Sequence, residues 1–198
     1  MKTYPPIITF LSLRQWIGYV GTSLPWLVWI INRELQPSIS DFYYTVSRNW
    51  FVGSLFTIGA FLCSYYGYDS RDRTMSIIAG ICAFGVALCP TDRGNTTIVG
   101  GAHYAFAGTL FAILAWFSLV QFTKSSHPKL SVNKRKRNGI YRICGWVIVG
   151  ALCLILAGKA TGLSVRWGNM DPVYWLETSA LVAFGVSWMI KGEVILKD

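Results

Sequence analysis

Apolar residues run in long unbroken stretches along this chain, and charge is confined to the gaps between them. Stretches free of Asp, Glu, Lys and Arg cover 15–32, 49–68, 74–91, 94–123, 143–158 and, after Glu177, 178–190. A helix needs roughly 20 predominantly apolar residues to cross the hydrocarbon of a bilayer. Allowing for frayed ends, the pattern predicts helices at about 13–31, 49–67, 74–90, 102–122, 139–158 and 173–190, within a single transmembrane domain of residues 1–198. The runs are continuous rather than alternating, and far longer than the strands of a membrane barrel require. The expected fold is therefore all-α, an integral membrane six-helix bundle.

Small residues recur at helical spacing inside these runs: Ala79, Ala83 and Ala87; Gly108, Ala112 and Ala115; Ser179, Ala183 and Ser187. Helices bathed in lipid associate by close backbone approach at small side chains, so each stripe is expected to be a packing face. Trp16, Trp29, Trp50, Trp146, Trp175 and Trp188 fall near predicted ends, where an interfacial aromatic belt would sit.

Composition sharpens this picture. Of 198 residues, 53% are hydrophobic and only 14% are charged, against about a quarter in ordinary soluble domains. So little charge cannot cover a soluble globule of this size, which excludes an ordinary cytosolic enzyme, and the apolar content excludes intrinsic disorder. Five cysteines (63, 82, 89, 144 and 153) lie in the apolar segments without CxxC spacing, so they are expected to be buried small hydrophobes. The net charge of +9 fits a membrane protein that collects Lys and Arg on its cytoplasmic side better than a nucleic-acid binder. Of the eighteen Lys and Arg, Arg33, Arg48, Arg93, Lys159 and Arg166 fall on one side of the predicted bundle and the other thirteen on the opposite side. That excess places both termini in the cytoplasm, with loop 123–138 and its run Lys134-Arg135-Lys136-Arg137 as a juxtamembrane basic cluster. Lys2 precedes Pro5 and Pro6, and no small-x-small cleavage pattern follows before Arg33, so the first span is expected to stay uncleaved.

With this orientation the outward loops collect most of the chemistry. The first contains Ser38, Ser40, Asp41, Tyr43 and Tyr44, followed by Arg48; the second holds Asp92 and leads to His103-Tyr104; the third holds Asp171-Pro172 and leads to Glu177. An ionisable group in or near hydrocarbon is costly and defaults to a functional hypothesis. Two readings stay open, a structural polar cap and a binding or catalytic pocket. In the pocket reading Arg48 pairs with an anionic group, Tyr43 and Tyr44 supply amphipathic walls, and Ser38, Asp92 and Glu177 line the site. A catalytic version has Ser40 attack, His103 accept its proton, and Asp41 or Asp92 orient the imidazole. Catalytic zinc commonly takes three protein ligands plus water, and His103 and His127 are the only histidines, so no metal and no cofactor are expected. A hard cation held by Asp41, Asp92 and Glu177 is the remaining metal option. Asn95-Thr96-Thr97 matches a glycosylation sequon, relevant only in a eukaryotic secretory membrane.

Several segments carry a resemblance: Ser38-Ile39-Ser40-Asp41-Phe42-Tyr43-Tyr44-Thr45, Phe51-Val52-Gly53, Tyr66-Gly67-Tyr68-Asp69, and Val86-Ala87-Leu88-Cys89-Pro90-Thr91. So do Arg137-Asn138-Gly139-Ile140-Tyr141-Arg142 with Cys144-Gly145, and Glu177 with Phe184-Gly185-Val186-Ser187-Trp188. From about Arg14 to Glu193 the chain resembles a family of bacterial polytopic inner-membrane proteins defined by a domain of unknown function. That resemblance implies a six-span inner-membrane protein and no particular substrate. A looser similarity is to the alkaline ceramidase/progestin-receptor superfamily of seven-span hydrolases, which use a Ser, an Asp and several His; this chain has fewer spans and lacks the His set. The expected function is an inner-membrane protein whose outward-facing polar pocket binds a lipid headgroup, small solute or ion. The alternatives are an intramembrane serine-type lipid or amide hydrolase and a subunit of a proton- or cation-coupled transporter. The expected partners are membrane lipids, and a second copy of the chain in the transporter reading, but not nucleic acid.

Overall fold

The computed structural model describes residues 9–67, 69–92, 97–125, 131–161 and 171–196. Regular structure among them is entirely helical: α1 (Phe10–Asn32), a 3-10 turn (Ser40–Tyr44), α2 (Arg48–Ser64), α3 (Ser70–Leu88), α4 (Ile98–Trp116), α5 (Val132–Thr161) and α6 (Pro172–Lys191). A π turn over Phe117–Gln121 continues α4. Arg93, Asn95, Thr96 and His127 lie outside the described residues, as do Lys2, Lys129, Arg166 and Lys197 of the charge asymmetry.

Four helix starts are written in the sequence as oxygen-bearing caps. Thr9 accepts the Ser12 N–H at 3.1 Å, Asp69 the Asp72 N–H at 2.9 Å, Thr97 the Gly100 N–H at 3.0 Å, and Asp171 the Val173 N–H at 3.0 Å. Pro172 follows Asp171 at the first helical position, where a missing N–H costs nothing. Ser47 before α2 is used differently: its hydroxyl donates to the Val28 carbonyl at 2.7 Å and ties α2 to α1.

The start of α5 departs from the sequence expectation. It begins at Val132, so the basic run Lys134–Arg137 is helical rather than looped. The side chains of Lys134 and Asn138 donate to the Phe122 and Thr123 carbonyls at 2.8 and 3.2 Å, which satisfies the end of the preceding helix and holds the added turns. Ser131 accepts the Lys134 N–H at 3.1 Å.

Each helix packs on its neighbours in sequence, and α1 closes against α6, so the six helices form a ring in chain order. Closure depends on small residues. A Cβ on Gly185 would meet Thr22 and, at 2.7 Å, the Gly18 carbonyl; one on Gly18 would meet the Gly185 carbonyl at 2.8 Å. Gly59 and Gly80 bring α2 against α3 in the same way. The Ala79, Ala83 and Ala87 stripe is buried, as are Ala183 and Ser187. The Gly108, Ala112 and Ala115 stripe is not a packing face: Ala115 is buried, but Gly108 and Ala112 are exposed. On α4 it is Leu110, Ile113 and Leu114 that turn inward instead.

The ring exterior is strongly apolar, with Trp16, Ile30, Ile81, Ile143, Trp146 and Leu154 all more than half exposed. So much exposed apolar surface fits a lipid solvent and not water. By length and composition, Ile98–Gln121, Val132–Thr161 and Pro172–Lys191 can each cross a membrane. Of the remaining helices, α2 has 17 residues, and α3 opens on Arg71-Asp72-Arg73.

Among the belt residues Trp188 is misplaced by the sequence reading, because it is fully buried. It is the hub of an aromatic plug at one end of the ring. Ring centroids lie 4.9 Å away for Tyr65, 5.1 Å for Phe122 and 5.9 Å for Phe117, while Tyr141 stands 5.4 Å from Phe122. Cysteine burial is mixed: Cys82 and Cys144 are buried, but Cys153 is exposed on α5.

Candidate functional site

The other end of the ring is open. Here the α1–α2 connection, the end of α3, the start of α4, the end of α5 and the start of α6 surround a cavity of about 480 Å³. Its two parts differ in chemistry. Ser38, Ser40, Asp41, Asp92, His103, Lys159, Asp171 and Glu177 form the polar head, whereas Ala107, Gly108 and Phe111 on α4 face Leu152, Ile155 and Leu156 on α5. Helical spacing accounts for the change in character. His103, Ala107 and Phe111 are four residues apart, so they descend one face of α4 from polar to apolar. Lys159 and Ile155 repeat this on α5. The transition takes one turn, about 5.4 Å.

The Ser40 turn is held from three sides. From α6, the Glu177 carboxylate accepts the Ile39 N–H at 2.6 Å. From the end of α3, the Thr91 hydroxyl donates to Asp41 at 3.0 Å, and the Tyr44 hydroxyl donates to the Thr91 carbonyl at 2.5 Å. From α4, His103 Nε2 lies 3.0 Å from Ser40 Oγ. The second imidazole nitrogen, Nδ1, is 2.6 Å from the Cys89 carbonyl oxygen. A carbonyl can only accept, so Nδ1 carries the proton of the neutral ring and Nε2 is left as an acceptor. Ser40 then donates its hydroxyl proton to Nε2. His103 is 2% exposed and Ser40 9%, so water hardly competes for this bond.

Of the residues expected from sequence, the structure brings Ser38, Ser40, Asp41, Asp92, His103 and Glu177 to the cavity. Asp41 does not orient the imidazole. Its two oxygens accept from Ser38, at 2.9 Å, and from Thr91, and the Cys89 carbonyl occupies the orienting position. Asp92 is likewise engaged elsewhere, accepting the Thr97 N–H at 3.1 Å at the start of α4. Tyr43, Tyr44 and Arg48 do not line the cavity. Arg48 stacks on the Tyr43 ring, 4.1 Å from its centroid, and donates to its hydroxyl. The hard-cation grouping of Asp41, Asp92 and Glu177 does not form: among the described residues no three His, Cys, Asp or Glu side chains gather closely enough to hold a metal.

Sequence reasoning missed Lys159 and Tyr104 as a unit. The Lys159 ammonium sits 3.2 Å above the Tyr104 ring centroid and joins α5 to α4 at the cavity rim. Lys159 lies in the last turn of α5, where the helix dipole favours a cation. Its lone charge after a long apolar run was the available signal. Among known proteins, the chain matches no family model, no curated protein and no solved structure.

Proposed function

We propose that this protein crosses a bacterial inner membrane six times, with both termini in the cytoplasm, and binds a membrane amphiphile in the open end of its helix ring. The observation that carries the binding reading is the divided lining of the cavity, polar at the loops and apolar between α4 and α5. A lipid has the same division. Its headgroup would meet Lys159, Asp41, Asp171 and Glu177, and its acyl chain would lie along Ala107, Phe111, Leu152 and Leu156. Lys159 takes the anion-pairing role expected of Arg48, because it lines the cavity and Arg48 does not.

The six crossings and the orientation rest on the apolar runs and on the Lys and Arg excess away from the cavity end. Single cysteines at positions 34 and 135, in a chain cleared of its own five, should react from opposite aqueous phases; reaction from the same phase rejects six crossings. Gly108 tests the binding. It is exposed at the cavity wall, and a Cβ built there meets nothing within 4 Å. Gly108→Leu should therefore fill the apolar part without strain. Native mass spectrometry should find phospholipid on the wild type and at least tenfold less on this variant. Equal lipid on both rejects the site.

A further inference from the structure

We propose that Ser40 is a nucleophile toward the ester bonds of membrane glycerolipids, with His103 as its general base and the Cys89 carbonyl as the group that fixes the imidazole. The inference rests on the amphiphile reading of the cavity and adds a reaction to it.

Three observations converge. The Ser40 Oγ–His103 Nε2 separation of 3.0 Å is within the reach a nucleophile and its base require. The Nδ1 contact to Cys89 at 2.6 Å leaves Nε2 free to accept a proton, the state a general base needs. Both side chains line the cavity where its polar head gives way to Ala107 and Phe111. An amphiphile seated there has its ester linkage at the same boundary, between headgroup and acyl chain.

The steps balance with water as the only added reactant. As Oγ bonds to the acyl carbon, its proton passes to Nε2, and the imidazolium formed stays hydrogen-bonded to Cys89. The ester C–O bond then breaks, and Nε2–H protonates the departing alkoxide to release a lysolipid alcohol. Water next attacks the acyl-serine ester and gives one proton to Nε2. The acyl–Oγ bond breaks, Ser40 recovers that proton, and a fatty acid leaves. No electron is gained or lost. Asp41 and Glu177 act as positioning residues by holding the turn that carries Ser40.

The test uses the full chain in phospholipid–detergent micelles with a fluorophosphonate probe, alongside a fluorogenic diacyl phospholipid. The wild type should take up the probe, with the adduct mapped by mass spectrometry to the peptide containing Ser40, and should hydrolyse the lipid. Ser40→Ala should lose both. His103→Gln should lose about a hundredfold or more in rate, the scale of a general base. Ser64→Ala, on an exposed serine far from the cavity, should match the wild type. Should Ser40→Ala fail to fold, the mapped wild-type adduct still decides. No adduct, or one at another serine, overturns the proposal. Absent turnover with phospholipid still bound overturns the chemistry and leaves the binding reading standing. Loss of bound lipid from the wild type rejects both.

Discussion

The two ends of the helix ring are filled differently, although both bury polar side chains: Gln121, Arg137 and Lys191 beside the aromatic plug, Ser40 and His103 at the cavity. At the closed end Trp188, Phe117, Phe122 and Tyr141 are fully buried and Tyr65 is 1% exposed, so the interior is filled. At the open end polar side chains and backbone carbonyls occupy the same depth, and a cavity of about 480 Å³ remains. Aromatic rings gain by mutual contact and by leaving water. Ser40, His103, Asp41 and Glu177 only exchange one hydrogen-bond partner for another, a much smaller net gain. Stability should therefore reside mainly in the plug, and ligand contact in the head. The two can be separated by mutation.

The largest effect should come from the plug. Trp188→Ala removes its hub and should cost about 3–5 kcal/mol, read as a fall in the thermal midpoint in detergent, while lipid bound per folded molecule stays at the wild-type level. Equal destabilisation by Trp188→Ala and His103→Ala would erase the distinction between the ends. Next in size is ring closure. Gly185→Leu forces a side chain against Thr22 and the Gly18 carbonyl and should cost roughly 1–3 kcal/mol or more by the same thermal assay. A midpoint equal to wild type would show that α1 and α6 can part without penalty. Gly108→Leu should have the opposite sign. Replacing an unpacked helical glycine should raise stability by ~0.5–1 kcal/mol while displacing lipid. Lipid loss accompanied by a lower midpoint would mean that the wall of the cavity is also structural.

The smallest effect concerns a surface ion pair at the closed end. The Asp72 N–H hydrogen bond, helped by Lys124 at 3.4 Å, holds the Asp69 carboxyl below the usual carboxylate range. A lowered folded pKa favours the native state above the unfolded value, and that contribution is lost as pH falls through the folded one. Asp69→Asn should thus lower the neutral-pH midpoint slightly and narrow its further drop on acidification below the ordinary carboxylate range, so that the two proteins converge in acid. An unaltered acid profile would show that the bond is made equally well in the unfolded chain.

The same contrast explains what was legible in the sequence. Six helices could be read because charge punctuates the apolar runs, and starts such as Asp69, Thr97 and Asp171-Pro172 announce themselves chemically. The gathering of Ser40, Asp41, His103 and Glu177 at one end was legible too, since helices of similar length return alternate loops to the same side. Of the features that were not, three show why. The group that orients His103 is the backbone carbonyl of Cys89, and every residue has a carbonyl, so composition carries no trace of it. Asp41 has the right chemistry for that role, but Ser38 and Thr91 reach it first. Trp188 stands near a helix end like the belt tryptophans, and only the inward rotation of α6 separates it from them. The helical state of Lys134–Arg137 was hidden because the carbonyls that stabilise it belong to Phe122 and Thr123, on the preceding segment.

Where a bound lipid lies is the point on which the account turns. A phospholipid carrying a photoactivatable diazirine in its acyl chain, irradiated in proteoliposomes and mapped by peptide mass spectrometry, reads that position directly. Adducts concentrated on residues 107–111 of α4 and 152–156 of α5, and displaced by excess unlabelled phospholipid, are the predicted result. Adducts spread evenly over the apolar exterior of the ring, with no enrichment along α4 and α5 and no competition, would contradict it.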